Sequence, residues 1–325
     1  MMKRLSIVVP FYGVERYIRQ CLESLYRQDI PESEYEVICV NDCTPDHSEE
    51  IVLEFQQKHE NLVLIRHEVN KKLGAARNTG LRAASGKYVW FVDSDDLVKE
   101  NCFSEVLDRC EENNLQVFHW SIIDNHNKWI NRFSDSDVTT GIDDLLTGSK
   151  DMTFPWNRVY NREFLLNNNL WFNDLWGGDV IHTIQALNVA ERIMNSSECY
   201  YYYRIDNMTS DMRSPGTANK VISFCFILAK AIDETTPELS PRLAPLMDEC
   251  VEWRINKSYK PILRLPMEEK RVFYRSMNDN STLKAFVLDK ANKKVRFLLC
   301  NPFIVYLIHP VYNSIRYLRN NYRNL

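Results

Sequence analysis

Several features that mark common protein classes are missing from these 325 residues. The longest uninterrupted apolar runs, such as 303–308, reach about a third of the 18 residues that a membrane-spanning helix needs. The N-terminal residues lead straight into an apolar stretch and lack the longer apolar segment and cleavage site of a signal peptide. We therefore predict neither a spanning helix nor secretion.

The nine cysteines are scattered along the chain and form no CxxC pair. No cluster of cysteine and histidine has the spacing of zinc ligands, and the seven histidines form no HExxH motif. Scattered cysteines without partners are typical of reduced, mostly buried side chains. They predict a cytoplasmic protein, and nothing in the pattern predicts a zinc site.

Glycine-rich phosphate loops are also absent. Neither GxGxxG nor GxxxxGK[ST] occurs, so dinucleotide-binding Rossmann domains and P-loop enzymes lack their phosphate cradle here. A phosphorylated ligand would need another source of positive charge. A divalent cation held by carboxylate oxygens is the natural candidate.

The charge of the chain is unevenly distributed. The formal net charge is -4, which disfavours a general nucleic-acid binder. Residues 290–325 nevertheless carry seven basic and no acidic side chains, interleaved with aromatic and aliphatic ones. Such a segment is typical of helices that lie on an anionic membrane surface. The alternative is a helical subdomain whose cations are merely solvated.

Strand and helix patterns alternate through the first hundred residues. Apolar runs rich in β-branched residues predict strands at 5–9, 35–40, 62–66 and 88–92, with amphipathic helices between them. This alternation predicts an α/β fold with a mostly parallel sheet flanked by helices. From residue 218 onward the pattern is helical and is interrupted by prolines.

Polar residues follow three of the predicted strands, at the edge where open parallel sheets bind ligands. They occur at 10–15, at Asn41 and Asp42, and at 93–96, and they bring carboxylates and an aromatic side chain to one edge. Each signal has a structural alternative. The acidic cluster could cap the helix that follows it, and Asp42 could open a turn.

Four ordered motifs carry a family resemblance: IVVPFY at 7–12, VNDCTPD at 40–46, GAARNTGL at 74–81 and FVDSDD at 91–96. Together they resemble the inverting family 2 glycosyltransferases of the GT-A fold, of the type that builds bacterial surface polysaccharides. The resemblance covers about residues 4–112, with a looser match through 156–160, 178–179 and 201–204. It implies a nucleotide-sugar donor, most often a UDP-sugar.

The resemblance also implies roles for individual residues. Asp42 would accept a hydrogen bond from the uracil ring N–H, and Arg77 would line the donor site. The segment from Asp93 to Asp95 matches the DxD motif of the family. Asp93 would lie near the ribose and the waters of the metal, and Asp95 would bind Mn²⁺ or Mg²⁺ directly. The complete implied donor site comprises Pro10, Tyr12, Glu15, Asp42, Arg77, Asp93, Ser94 and Asp95.

Transfer of a sugar requires a Lewis acid at the leaving phosphates and a base at the acceptor hydroxyl. Asp179 is the candidate base, because family members carry an aspartate at a helix start in this region. Those members often have Glu-Asp, whereas Gly178 precedes the aspartate here. The alternative for Asp179 is an ordinary first-turn residue favoured by the helix dipole.

These observations predict two regions. A GT-A domain would span 1–215, with a nucleotide-sugar half at 1–115 and an acceptor half at 116–215. The helical region 216–325 would serve membrane association, homo-oligomerisation or both, at the inner face of the cell membrane. The predicted acceptor is a glycan or a lipid-linked glycan, with no role for nucleic acid. The alternatives are a non-catalytic scaffold or partner subunit of the same fold, and a metal-dependent nucleotidyltransferase.

Overall fold

The computed structural model describes residues 3–147, 154–175, 177–207 and 217–306. The chain divides into two compact units. The first, the sheet unit, comprises Met1–Asp174 and Gly178–Ser210. The second, the helical unit, comprises Leu175–Gly177 and Asp211–Leu325.

The sheet unit contains eleven strands within its described residues: β1 (Leu5–Phe11), β2 (Tyr35–Asn41), β3 (Leu62–Arg66), β4 (Tyr88–Phe91), β5 (Leu97–Val98), β6 (Val117–Trp120), β7 (Ile122–Asp124), β8 (Trp129–Asn131), β9 (Arg158–Asn161), β10 (Ile193–Ser196) and β11 (Tyr201–Tyr203). Its helices are α1 (Ile18–Tyr26), α2 (Ser48–Gln56), α3 (Lys72–Ala83), α4 (Phe103–Glu112), α5 (Gly141–Thr147), α6 (Arg162–Asn167) and α7 (Gly178–Val189). Strands and helices alternate from β1 to β4, as the apolar patterns predicted.

Seven strands form the main sheet in the order β10-β6-β9-β4-β1-β2-β3. The pairs β1–β2, β1–β4, β2–β3 and β10–β6 are parallel, whereas β9 is antiparallel to both of its neighbours. In the β1–β2 register Leu5 lies opposite Tyr35 and Phe11 lies opposite Asn41. The predicted mostly parallel α/β fold is therefore confirmed.

Burial on both faces explains why β1 and β2 are mostly apolar: every residue of the two strands is buried, and the polar Ser6 and Glu36 are hydrogen-bonded to each other. The helix α3 packs closely on β1 through Gly80, where a Cβ atom would stand 2.2 Å from a methyl of Val8. Any larger residue would push α3 away from the sheet. This close approach fixes the helix that carries Arg77.

A smaller four-stranded sheet, in the order β5-β11-β7-β8, lies within the same unit. Its strand β11 pairs with β5 and places Tyr201 opposite Val98. The Tyr201 ring stacks on the buried Trp156 at a centroid distance of 4.5 Å. This packing holds β11 close to the segment that follows β4.

The helical unit is built from α8 (Ala218–Val221), α9 (Leu228–Thr235), α10 (Ala244–Lys257), α11 (Tyr259–Arg264), α12 (Met267–Asp279), α13 (Ser281–Lys290) and α14 (Lys293–Cys300). A π-helical turn at Ile222–Ile227 joins α8 to α9, and 3₁₀ turns occupy Thr236–Glu238 and Pro241–Leu243. The predicted helical C-terminal region is confirmed. Of the basic segment 290–325, the part from 307 onward lies outside the described residues.

None of the helices in the described ranges combines the length and the apolar character that crossing a bilayer requires.

Candidate active site

The carboxyl ends of β1, β2 and β4 meet at one edge of the main sheet, which we call the carboxyl edge. The Asp42 backbone N–H donates to the Phe11 carbonyl at 3.1 Å, so the chain leaving β2 is joined to the end of β1. The Val92 N–H donates to the Val8 carbonyl at 2.9 Å. The residues after these three strands are therefore neighbours in space, as strand order required.

Asp42 is buried at this edge, and its Oδ1 has two partners. It accepts from the Lys71 backbone N–H at 2.8 Å and lies 2.7 Å from Nδ1 of His67. Asp42 does not form the turn after β2. Asn41 and Asp46 do so, by accepting from the backbone N–H groups of Thr44 and Ser48 respectively. The turn-opening alternative for Asp42 is therefore wrong.

Three residues after β1 were predicted to border the base and ribose, and the structure separates them. Tyr12 is 50% exposed and offers a free ring face at the carboxyl edge. Glu15 is tied to the loop after β2, because its carboxylate accepts from the His47 N–H at 3.2 Å. Pro10 is buried inside β1, opposite Val40, and does not reach this surface.

Arg77 links two of the predicted site carboxylates. Its side chain is fully buried, and its two terminal nitrogens pair with Asp93 at 2.7 Å and with Asp179. The side chains of Asp93 and Asp179 remain 25% and 27% exposed. Arg77 therefore lies behind the two carboxylates, which face outward, and it acts on the site through them.

Opposing charges set the electrostatics of this group. Burial alone would lower the pKa of the Arg77 guanidinium, but Asp179 and Asp93 raise it above its ordinary value. Burial raises the pKa of Asp179, an effect that Arg77 opposes and Asp93 reinforces. Arg77 is thus the cation that opposes the rise in the pKa of the Asp179 carboxyl at the start of α7.

Asp95 has a different environment. Its Oδ2 accepts from the Asn207 amide at 2.7 Å, and its backbone carbonyl accepts from Nε of Arg204 at 2.6 Å. Burial raises the pKa of Asp95, the nearby Asp93 raises it further, and the Asn207 hydrogen bond opposes the rise. A carboxylate whose ionisation is opposed by burial and by a neighbouring carboxylate favours added positive charge. Ser94, between them, is buried.

Asp96 is buried and satisfied by β11 and the residue that follows it. It accepts from the Tyr201 hydroxyl at 2.7 Å and from the Arg204 backbone N–H at 2.6 Å. Burial, together with Asp95 and Asp93, raises its pKa well above the ordinary value. The short strand β5 separates this cluster from α4, whose N-cap is Cys102. The alternative that the acidic cluster caps the next helix is therefore wrong.

The donor atoms around Asp93 and Asp95 fit a hard divalent cation. The carboxylate oxygens of these two residues are the hard ligands that such a cation prefers. Within residues 3–147, 154–175, 177–207 and 217–306, no three Asp, Glu, His or Cys side chains converge to hold a metal alone. Two carboxylates suit Mg²⁺ or Mn²⁺ bound together with substrate phosphates, because such ions keep few protein ligands.

Gly178 also has a steric explanation. A Cβ atom at this position would stand 2.2 Å from Oδ1 and 2.9 Å from the carbonyl oxygen of Asn173. The segment that carries Asn173 is held by Asn78, which exchanges two hydrogen bonds with the Phe172 backbone, at 2.7 and 2.9 Å. A side chain at 178 would displace this segment, so the Asn173 amide occupies the space before Asp179.

Sequence reasoning missed three residues of the site: His67, Tyr201 and Asn207. His67 contacts Asp42, Tyr201 bonds the Asp93 N–H at 3.2 Å as well as Asp96, and Asn207 bonds Asp95. Each is separated from its partner by at least 25 positions in the chain. No local pattern marks such pairs.

Comparisons with known proteins find glycosyltransferases that are similar to this chain. The profile of "Glycosyl transferase family 2" matches residues 6–168. The uncharacterized glycosyltransferase EpsJ of Bacillus subtilis is 32% identical over 224 residues, which cover 63% of this chain and 62% of EpsJ. The poly(ribitol-phosphate) beta-N-acetylglucosaminyltransferase TarS of Staphylococcus aureus is 29% identical over 285 residues, which cover 86% of this chain and 49% of TarS.

Solved structures show the same fold. Residues 1–349 of S. aureus TarS in complex with UDP-GlcNAc superpose with a TM-score of 0.67 at 24% identity, covering 96% of this chain and 92% of that one. The mannosyltransferase PcManGT from Pyrobaculum calidifontis, in complex with GDP-Man and Mn²⁺, gives a TM-score of 0.55 at 14% identity and covers 95% of this chain and 87% of that one. The first two curated relatives are matched over only 62% and 32% of their own length.

Proposed function

The chain belongs to glycosyl transferase family 2, and we propose that it transfers a sugar from a UDP-sugar donor to a hydroxyl of a glycan or lipid-linked acceptor. The observation that carries this proposal is the group formed by Arg77, Asp93 and Asp179 at the carboxyl edge. In this group Arg77 joins Asp93, a carboxylate of the DxD motif, to Asp179, a second and partly exposed carboxylate that would act as the base. The acceptor class is supported by relatives named as poly(ribitol-phosphate) glycosyltransferases and as a minor teichoic acid biosynthesis protein.

The nucleotide would lie across the ends of β1 and β2. The exposed ring of Tyr12 supplies a flat apolar surface for a base, and the buried Asp42 supplies a hydrogen-bond acceptor beside it. A uracil ring N–H is the complementary donor. Glu15 lies on the loop next to Tyr12, where it can reach a ribose.

Asp95, with Asp93 beside it, would hold Mn²⁺ or Mg²⁺. When bound, such a cation neutralises the charge that develops on the leaving diphosphate and stabilises its departure by several kcal/mol. The raised pKa of Asp95 supports this assignment, since neither the Asn207 hydrogen bond nor the charge of Arg204 offsets the effects of burial and of Asp93.

Asp179 would act as the general base. The acceptor hydroxyl attacks the anomeric carbon from the side opposite the diphosphate, so a new C–O bond forms as the bond to phosphate breaks. The hydroxyl proton passes to the Asp179 carboxylate, and the nucleoside diphosphate leaves with the bonding electrons. Inversion at the anomeric carbon follows from this single displacement. Arg77 orients Asp179 before the attack and favours its ionised form.

Thermal unfolding with UDP, GDP, CDP and NAD, each with and without Mn²⁺, tests the donor assignment. A ligand that binds only the folded state at 100 times its Kd stabilises that state by about 2.7 kcal/mol. We expect a shift with UDP that requires Mn²⁺. A shift with GDP alone would retain the enzyme class and overturn the assignment of Asp42. No shift with any nucleotide would favour the non-catalytic scaffold.

We also propose that the C-terminal segment associates with a membrane surface, where a lipid-linked acceptor is found. In its described part, Phe297 is 49% exposed and Phe303 is 71% exposed, next to the basic start of α14 at Lys293 and Lys294. Flotation of the full chain with anionic vesicles tests this. The double variant F297S/F303S should float less than the unaltered chain. Absence of flotation by the unaltered chain would overturn this proposal.

A further inference from the structure

The Asp42 carboxylate is held through one of its two oxygens. Its Oδ1 accepts from the Lys71 backbone N–H at 2.8 Å and contacts Nδ1 of His67 at 2.7 Å. Because an ionised carboxylate only accepts hydrogen bonds, Nδ1 carries the hydrogen of this contact. Two donors that converge on one oxygen fix both the position and the rotation of the carboxylate.

His67 is itself held firmly. Its Nε2 lies 2.9 Å from the hydroxyl of Thr79 in α3. The backbone N–H of His67 donates to the Asn41 carbonyl at 2.9 Å. The side chain is only 5% exposed, so it does not meet the solvent side of the site. A chain of contacts therefore runs from α3 through His67 to Asp42.

The second oxygen of Asp42 differs. In the described part of the chain, every hydrogen bond of the Asp42 side chain is to Oδ1. Oδ2 is thus available to a ligand at the carboxyl edge, close to the exposed Tyr12. The Asp42 carboxylate therefore presents a single acceptor oxygen, Oδ2, to a ligand.

We propose that His67 is a positioning residue that sets nucleobase selectivity by orienting Asp42. This inference rests on the proposed function, in which Asp42 receives the base. A fixed carboxylate oxygen favours a base that offers a ring N–H, as uracil does at N3. It repels the ring nitrogen lone pair that cytosine presents at the same position. A carboxylate free to rotate discriminates less, because it can turn away from the lone pair.

The test compares the Kd of UDP with that of CDP, in Mn²⁺, by titration calorimetry. The variants are H67A, which removes the contact to Asp42, and T79V, which removes the support of His67 and retains the shape of the side chain. The matched control is H59A, since His59 also pairs with a carboxylate, Glu32, at 2.8 Å but lies outside the site. Donor KM and kcat are measured on the same proteins.

For H67A we expect the preference for UDP over CDP to fall roughly tenfold, equivalent to about 1.4 kcal/mol. T79V should reduce this preference less than H67A does, and H59A should keep the wild-type ratio of the Kd values of CDP and UDP. Donor KM should rise while kcat at saturating donor changes little, whereas general loss of structure would lower kcat and leave the ratio intact.

An unchanged ratio in both H67A and T79V would overturn the inference and leave the proposed function standing. Equal binding of UDP and CDP by the unaltered protein would overturn the assignment of Asp42, and this inference with it.

Discussion

Both ends of the main sheet carry carboxylates, but the surroundings of these carboxylates differ between the two ends. At the amino end, Glu36 of β2 accepts three hydrogen bonds through Oε1, from the Ser6 hydroxyl at 2.6 Å and from the Ser85 N–H and hydroxyl at 2.7 and 2.9 Å. At the carboxyl edge, Asp93, Asp95 and Asp96 lie within one short segment and repel one another.

The difference separates structural from functional carboxylates. The hydrogen bonds to Glu36 join β1 and β2 to the turn before β4, so this carboxylate has a structural role. In the described part of the chain, Asp95 and Asp179 each accept fewer hydrogen bonds than Glu36, and burial raises their pKa values, a cost that a bound cation or substrate would reduce. A carboxylate with several hydrogen-bond donors stabilises this fold, whereas carboxylates with few donors and raised pKa values mark its candidate site.

The largest expected effect is on catalysis at the carboxyl edge. Replacing Asp179 by Asn keeps the size of the side chain and removes the base, so the transfer rate should fall roughly 10²–10⁴-fold. Donor binding, measured by calorimetry with UDP and Mn²⁺, should be retained. Wild-type transfer by this variant would show that Asp179 is only a first-turn helix residue.

The next effect is on stability, and it concerns the cation that offsets the carboxyl edge. Arg77→Met leaves Asp93 and Asp179 without their shared partner, which should destabilise the sheet unit by about 3–5 kcal/mol. Arg82→Met on the same helix is the matched control, because Arg82 is exposed. Denaturant unfolding measures both. A loss no larger than that of the control would mean that the buried ion pairs contribute little.

A substitution at the amino end of the sheet should change stability and leave activity unchanged. Glu36→Gln replaces a charged acceptor of three hydrogen bonds by a neutral amide and should cost about 1–3 kcal/mol of folding free energy. Donor KM and kcat of the folded fraction should stay at wild-type values, because Glu36 lies away from the carboxyl edge. A change in KM without a change in stability would break the distinction between the two ends.

The smallest effect is a gain. Asp95→Asn removes one charge from a repelling group, so we expect stabilisation of about 0.5–2 kcal/mol in the absence of metal, together with loss of Mn²⁺-dependent UDP binding. The sign depends on pH. Because the folded pKa of Asp95 is raised above its unfolded value, the wild type is penalised at neutral pH, and the penalty vanishes as pH falls toward 3.8.

Thermal unfolding at several pH values measures this gain. A variant that is less stable than the wild type at neutral pH would show that Asn207 and the backbone already satisfy Asp95. Asp95 would then resemble Glu36, and the comparison of the two ends would fail at this residue.

Much of the fold could be predicted from local patterns. The strands predicted at 5–9, 35–40, 62–66 and 88–92 exist with ends that differ by at most two residues. Buried parallel strands are continuous apolar runs, and such runs are readable without tertiary information. The antiparallel strand β9 was missed, because its four residues show neither alternation nor an apolar run. Its direction depends on the path of the chain around the sheet.

The candidate site was predicted in outline only. Strand order alone brings Tyr12, Asp42 and Asp93 to one edge, and the structure agrees. That Arg77 lines the donor site stays a prediction; the structure buries its side chain against Asp93 and Asp179. Its burial follows from the close packing of α3 on β1 at Gly80, a contact that periodicity does not reveal.

The sequence by itself determined the order of strands and helices, the edge at which the polar residues gather and the family to which the chain belongs. Each of these depends on short segments, where periodicity and motif spacing carry the information. The tertiary structure decided which oxygens are held and which are left for a ligand. Arg77 and Asp179 are 102 positions apart, and Asn207 and Asp95 are 112 apart. Such pairs form only when helices pack on the sheet in one register, because a hydrogen bond tolerates only a few tenths of an ångström in distance.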